Sequence, residues 1–288
     1  MQSLARLNTG ELVVKGVAEL YGNIFIAFGG SNTIFVFSTE RSYRRRRDIV
    51  IKGMKYPEDL AANSAAGHLY IADWGGQCIW RVELDDSVER DFDVDDKEIA
   101  FTAVKWATDV RIGRISSMFV TTSGSVLITD SRLGELTVLN ERGQKEEVMS
   151  LKEKGIDVPK HAVVSSIDDT IIVCHTDWQK RCHRVCKLDR SGQVVVEFVV
   201  SVPQDEDKFQ DPGPMSRPEH LAPGADDKVL FVVDDSGIVV LDDRLRLCRV
   251  LLRPLEKSCR WTPRICYVRE SRRLLVVWGG GYVQVYGV

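Results

Sequence analysis

Residue pairs that are mostly charged or polar recur at six places that would enter successive repeat units: Ala18-Glu19, Glu58-Asp59, Ser116-Ser117, Lys160-His161, Glu219-His220 and Arg264-Ile265. Brought together, such a mixture of carboxylates, imidazoles, ammonium and guanidinium can coordinate a cation or clasp a polar peptide. It can also neutralise itself by ion pairing around a water-filled channel. Glu58, Lys160, His161, Glu219, His220 and Arg264 are the contact candidates, with Trp74 as an aromatic anchor. These residues are far apart in the chain, so only a repeating architecture can gather them.

Other motifs point to less chemistry. Tyr43 precedes Arg44, Arg45, Arg46 and Arg47, a run that can grip phosphates or form a solvated edge. Asp73, Asp130 and Asp234 each follow an apolar run, where a short acceptor normally bonds turn amides. Trp178 follows a similar turn. Cys182-His183-x-x-Cys186, with Cys174 and His175 nearby, lacks the paired knuckles of structural zinc. No G-x-S-x-G elbow and no phosphate-cradling glycine loop is present, and Gly279-Gly280-Gly281 fits a strand-to-strand turn. No metal, cofactor or catalytic residue is therefore expected.

The elements that would position these residues are short β-branched runs bounded by Gly, Asp, Asn and Pro. One unit occurs six times: Ile24–Phe28, Leu69–Asp73, Val126–Asp130, Ile171–His175, Leu230–Asp234 and Leu274–Trp278. The steps between copies are 45, 57, 45, 59 and 44 residues. Each copy is followed by a second apolar run, as in Ile79-Trp80-Arg81-Val82, and flanked by two weaker ones. Four strands per unit, repeated six times, predict an all-β, six-bladed propeller of four-stranded antiparallel blades.

The whole chain reads as one domain, with blades over 17–52, 53–92, 108–150, 159–200, 217–252 and 262–288. Leu12-Val-Val-Lys-Gly16 matches Ile49-Val-Ile-Lys-Gly53, so residues 1–16 are expected to supply the closing outer strand of the last blade. The long steps reflect two acidic inserts, Asp85 to Ala103 and Val202 to Pro218. Both are expected on the face carrying the six residue pairs, where lengthened loops often serve recognition. The arginine run falls in a third-to-fourth strand turn on the opposite face.

Bulk properties narrow the function. The 288 residues carry 39 basic and 42 acidic side chains, a net charge of −3. A general affinity for nucleic acid would call for a basic excess. No apolar stretch is long enough to span a bilayer, and no secretory leader is evident. Seven cysteines in an odd, scattered set suit reduced thiols in the cytoplasm. A monomeric domain is expected.

Tyr56-Pro-Glu-Asp-Leu-Ala-Ala62 followed by Gly67-His-Leu-Tyr-Ile-Ala-Asp-Trp-Gly-Gly-Gln-Cys-Ile-Trp-Arg-Val82 resembles the NHL repeat. Ser123–Asp130 with Leu136–Gly143, and Arg217–Leu221 leading to Asp234, are further matches, while the other units agree in outline. NHL propellers commonly end TRIM-type ubiquitin ligases, where they bind target proteins or, in some members, single-stranded RNA. The resemblance implies a protein-binding or substrate-recognition module, with RNA binding as the alternative. It does not imply an enzyme, because no RING or B-box ligand array is present in the sequence. Six-bladed propellers also include lactone hydrolases of the gluconolactonase type, which hold a divalent cation with Glu, Asn and Asp. Glu19 or Glu58 could be the Glu, but none of the six pairs supplies an Asn.

Overall fold

The computed structural model describes residues 2–10, 12–39, 43–46, 48–84, 101–108, 115–177, 180, 182–201, 217–234, 237–252, 263–278 and 281–288. It contains six four-stranded antiparallel sheets. In the first, β2 (Val14–Leu20), β3 (Asn23–Phe28), β4 (Thr33–Ser38) and β5 (Ile49–Val50) lie side by side in chain order. The second holds β6 (Pro57–Asn63), β7 (His68–Asp73), β8 (Cys78–Leu84) and β9 (Phe101–Ala107). The third holds β10 (Ile115–Val120), β11 (Val126–Asp130), β12 (Glu135–Leu139) and β13 (Lys145–Ser150). The fourth is β14 (Val158–Val164), β15 (Ile171–Asp177), β16 (Cys182–Leu188) and β17 (Val194–Ser201). The fifth is β18 (His220–Pro223), β19 (Val229–Asp234), β20 (Gly237–Asp242) and β21 (Leu247–Leu252).

The last sheet closes the ring. β22 (Arg264–Val268), β23 (Arg273–Val277) and β24 (Tyr282–Gly287) are joined at the outer edge by β1 (Gln2–Asn8). Gln2 lies opposite Gly287, and Asn8 opposite Tyr282. The N-terminal strand thus closes the last blade, as the repeat implied. The pairing segment stops at Asn8, and Leu12–Gly16 lies instead at the start of the first blade's innermost strand. The innermost strands β2, β6, β10, β14, β18 and β22 neighbour one another in that order, with β22 returning to β2.

Alternation in the strands puts apolar side chains on both faces of each blade, and those faces meet between blades. Six buried clusters result, one for each blade junction. Phe25, Leu69, Ile71 and Trp80 fill the first-to-second junction. Ile24, Phe28, Leu275 and Val285 fill the one where the ring closes.

The aspartates that end the second strands are structural. Asp73 accepts hydrogen bonds from the amides of Lys55, Tyr56 and Gly76 and from Trp80 Nε1. Asp234 accepts from the amides of Arg217 and Gly237, and Asp130 from Arg132 and Leu133. Each ties its second strand to a turn, and Asp73 and Asp234 also bind the segment leading into their blade.

One expectation needs correcting. Leu84 and Phe101 pair across β8 and β9, so the acidic insert beginning at Asp85 joins the third and fourth strands of the second blade. It therefore leaves from the face opposite the start of the innermost strands. Only the second insert, between β17 and β18, connects two blades on the expected face. Residues 85–100 and 202–216 lie outside the described residues.

Candidate functional site

Five of the six innermost strands begin with the same irregularity. Pairing with the second strand skips one residue between Val14 and Gly16, Pro57 and Asp59, Ile115 and Ser117, and Pro159 and His161. In the fifth blade, the Glu219 amide bonds the Val233 carbonyl, while His220 already pairs with Val233. The extra residue of such a bulge is re-aimed relative to the strand. Here the extra residues are Lys15, Glu58, Ser116, Lys160 and Glu219, and all five line one funnel of about 330 Å³ with Arg264.

The neighbouring residues form a second, deeper ring. Gly16, Asp59, Ser117, His161, His220 and Arg264 pair with equivalent positions of the second strands, Ala27, Ala72, Thr129, Cys174, Val233 and Val277. Five of these carry side chains and are buried in the ring centre. Gly16 carries none because the second blade's backbone is too close: a Cβ there would stand 2.5 Å from the Leu60 nitrogen.

Four of the residue pairs singled out in the sequence, Glu58-Asp59, Ser116-Ser117, Lys160-His161 and Glu219-His220, are thus divided between two levels. Glu58, Lys160 and Glu219 reach the funnel with Arg264, whereas His161 and His220 lie deeper and line the cavity at the other end of the channel, away from the mouth where they were expected. The first blade is an exception. Ala18 and Glu19 both line that second cavity, of about 440 Å³, and Lys15 takes the position expected of Glu19. Burial pushes the Glu19 carboxyl up to about 7, with Glu270 adding to the effect and the Gly22 amide opposing it.

The funnel charges neutralise one another. Lys15 Nζ donates to Glu58 Oε2 at 3.0 Å, and Arg217 Nε lies 2.8 Å from Glu219 Oε1. Lys160 Nζ is 3.8 Å from Glu219 Oε2, a charge contact that leaves this buried oxygen without a hydrogen-bond donor. Glu58 and Glu219 are almost inaccessible, while Lys160 and Arg217 keep part of their side chains in solvent.

Arg264 fastens the channel across blades. Its Nε donates to the Lys15 carbonyl at 2.9 Å, and Nη2 to the Ser116 carbonyl at 3.1 Å. Its Nε lies 4.0 Å from Asp59 Oδ1, and Asp59 Oδ2 accepts from the Met118 amide at 2.7 Å. Burial nevertheless raises the Asp59 carboxyl to about 6, against the lowering pull of Arg264 and the amide. The His161 and His220 rings face each other with centroids 3.6 Å apart, tilted by 35°. Burial, with the Arg264 charge adding to it, holds both well below the ordinary 6.5; for His220 the neighbouring His161 contributes before Arg264. Both imidazoles are neutral at pH 7.

The face carrying the funnel mixes exposed apolar residues with the charged Arg132 and Arg217. Trp74 is 43% exposed on the β7–β8 turn and meets Tyr56 edge to face at 5.7 Å. Lys15 Nζ lies 5.5 Å from the Tyr56 ring centroid. Leu133, on the β11–β12 turn, and Leu12, just before β2, are equally open. Trp178 lies outside the described residues.

On the opposite face, the arginine run is partly engaged. Arg45 forms a bidentate pair with Asp48 and covers the Phe35 ring at 3.6 Å. Arg46 Nη2 reaches Ser38 Oγ, and Arg44 is exposed in the same loop. Arg47 lies outside the described residues.

The Cys/His motif does not assemble a site. Cys182 and Cys186 are four residues apart on β16, which separates them by about 13 Å at the usual strand rise. Cys186 Sγ is instead 3.4 Å from His175 Nε2, and burial pushes its thiol up to about 12. The cysteines among the described residues are free. No helix among them is long and apolar enough to cross a membrane.

No protein-family profile and no curated protein matches this chain. Solved structures do resemble it in fold. Kuenenia stuttgartiensis hydrazine synthase is 13% identical with a TM-score of 0.62, covering 98% of this chain and 97% of that one. A putative gluconolactonase is 12% identical with a TM-score of 0.62, covering 98% and 91%. The WD40 β-propeller domain of Doa1 is 13% identical with a TM-score of 0.55, covering 100% and 86%. At such identities the likeness is one of fold, and these propellers include both enzymes and a WD40 domain.

Proposed function

We propose that this propeller is a recognition module that takes a protein partner on the face carrying the funnel. The observation behind this reading is the pattern of exposed apolar residues around a polar recess. Leu12, Trp74 and Leu133 come from three successive blades on the face of an opening whose carboxylates, Glu58 and Glu219, are buried and paired. An exposed Trp beside a polar recess has the composition of a protein-binding hot spot, in which Trp, Tyr and Arg are enriched, and the two leucines add apolar contact area around it. Glu58, Lys160, Glu219 and Arg264 then act as the walls of a recess that receives one polar side chain of the partner. His161 and His220 lie deeper and belong to the cavity at the other end of the channel, so they are not part of this recess. The resemblance to NHL repeats gives the reading a specific form, the substrate-recognition part of a ubiquitin-ligase-like protein. Free buried thiols support a reducing compartment such as the cytoplasm. The role proposed is binding and not catalysis.

The test compares immobilised wild type with Trp74→Ala/Leu133→Ser and with Arg44→Glu/Arg46→Glu, using cross-linking and quantitative mass spectrometry. The first variant changes exposed side chains and should keep the wild-type melting temperature while losing the enriched protein and the cross-links to its rim. The second should keep both. Loss of binding only in the arginine variant, with retained RNA that salt releases, would move recognition to the opposite face and make RNA the ligand.

A further inference from the structure

We propose that the channel beneath the funnel binds one divalent transition-metal cation through Asp59, His161 and His220. Each residue offers a ligand atom, and the three atoms lie within 4.8 Å of one another. They come from the second, fourth and fifth blades at the same ring position, so the fold itself brings them together. All three are buried, at 2%, 2% and 8% exposure.

The second observation is what these atoms lack. His161 Nδ1 and both ring nitrogens of His220 have no hydrogen-bond partner. The carbonyls of Leu221 and Ile265 approach His220 without completing a bond to either nitrogen. Buried polar atoms are normally satisfied, and a cluster of unsatisfied imidazole nitrogens beside a carboxylate is the chemistry of a metal ligand set. Ser117 Oγ, at the ring position between Asp59 and His161, is buried and unsatisfied as well.

The donor set indicates the class of ion. Two nitrogens and one carboxylate oxygen suit zinc, iron(II), cobalt, nickel or manganese better than calcium or magnesium, which prefer all-oxygen shells. Metal–ligand bonds of about 2.0–2.2 Å in tetrahedral geometry set ligand atoms about 3.4 Å apart, so atoms that stand within 4.8 Å of one another have to draw together on binding by up to about 1.4 Å. The Met118 amide fixes Asp59 from behind. Arg264 stays on its two backbone carbonyls, where its charge tempers affinity for the cation.

Titration of the chelator-stripped protein with zinc and cobalt(II), followed by calorimetry and by cobalt absorption, tests the site. The expected result is one equivalent bound, visible cobalt ligand-field bands and a zinc-dependent rise in melting temperature. His161→Gln and His220→Gln should each weaken binding by at least about tenfold and remove the bands. Cys186→Ser, which alters the other His/Cys pair, should leave both unchanged. If a glutamine variant does not fold, the paramagnetic shift of the His161 and His220 ring protons by cobalt in the wild type replaces it. Absence of saturable binding, or binding that survives both glutamine substitutions, overturns the proposal. So would cobalt shifts confined to His175 or His183. These outcomes do not depend on whether a protein partner is found.

Discussion

Removing the Arg264 side chain should be among the most damaging single changes to this fold. Arg264→Ala deletes two charge-assisted hydrogen bonds, to the carbonyls of Lys15 and Ser116, and strips Asp59 of its nearest cation. Breaking one partner out of a buried ion pair costs about 3–5 kcal/mol, and each hydrogen bond to a charged group about 1.5–3 kcal/mol. These contributions overlap, so we expect about 3–5 kcal/mol in total, which lowers the melting temperature by roughly 6–20 °C at about 2–4 °C per kcal/mol. The pH dependence distinguishes this mechanism from lost packing. Asp59 titrates near 6 in the folded protein against an ordinary 3.8. A raised carboxylate favours the folded state below its ordinary value, and that contribution fades as pH rises through about 6. Without Arg264 the Asp59 carboxyl rises further, so the variant pays for ionising it only at higher pH. The deficit measured by thermal denaturation should be clearly larger at pH 8 than at pH 5. Asp59→Asn in the Arg264→Ala background should recover part of it and flatten the pH dependence. A shift under about 2 °C, or the same deficit at both pH values, would falsify this account.

Other perturbations test the frame that holds the site. Asp73→Ala removes the acceptor of three amides and the Trp80 indole, and should cost about 2–4 kcal/mol by denaturant unfolding; a loss below about 1 kcal/mol would contradict its capping role. Gly16→Ala drives a Cβ into the Leu60 and Asp59 backbone, with no flexible side chain to yield, so a loss of at least about 2 kcal/mol is expected. A normal melt would show that the first and second blades can separate there. Deleting residues 1–10 uncovers the edge of β24, and light scattering should detect concentration-dependent association that a synthetic peptide of those residues reverses. A monomeric deletion variant with an unchanged melt would mean the sixth blade does not need its outer strand.

Blade number and ring closure were legible because apolar alternation and turn residues recur at nearly constant spacing. Five of the six pairs were legible for the same reason, since each stands at a nearly constant distance before a second strand, whereas Ala18-Glu19 stands closer to its own. Their division into two levels was not. It depends on the bulges at Lys15, Glu58, Ser116, Lys160 and Glu219, and nothing in composition marks a one-residue skip in pairing. The first blade was misaligned because its ring residue is Gly16, with no side chain to notice, and because its second strand ends in Phe28 instead of Asp. The acidic insert was assigned to the wrong face because β9, Phe101–Ala107, is mostly exposed and carries a weak strand pattern. Likewise, the sequence drew attention to Cys182 and Cys186, neighbours in the chain but distant along β16. His161 and His220, far apart in the chain, are the pair that meets.

Pairing β1 with β24 also shapes how the molecule is made. Gln2 is synthesised before every blade that separates it from Gly287, so the two strands meet only after those blades have been made. Until then β1 has no permanent mate, and the first blade must wait with one flank uncovered. Such distant pairing slows folding, because the entropy of a very large loop is lost before the last sheet forms. A chaperone that shields β-edges during translation would act in that interval, and synonymous codon changes that slow the final blade would lengthen it.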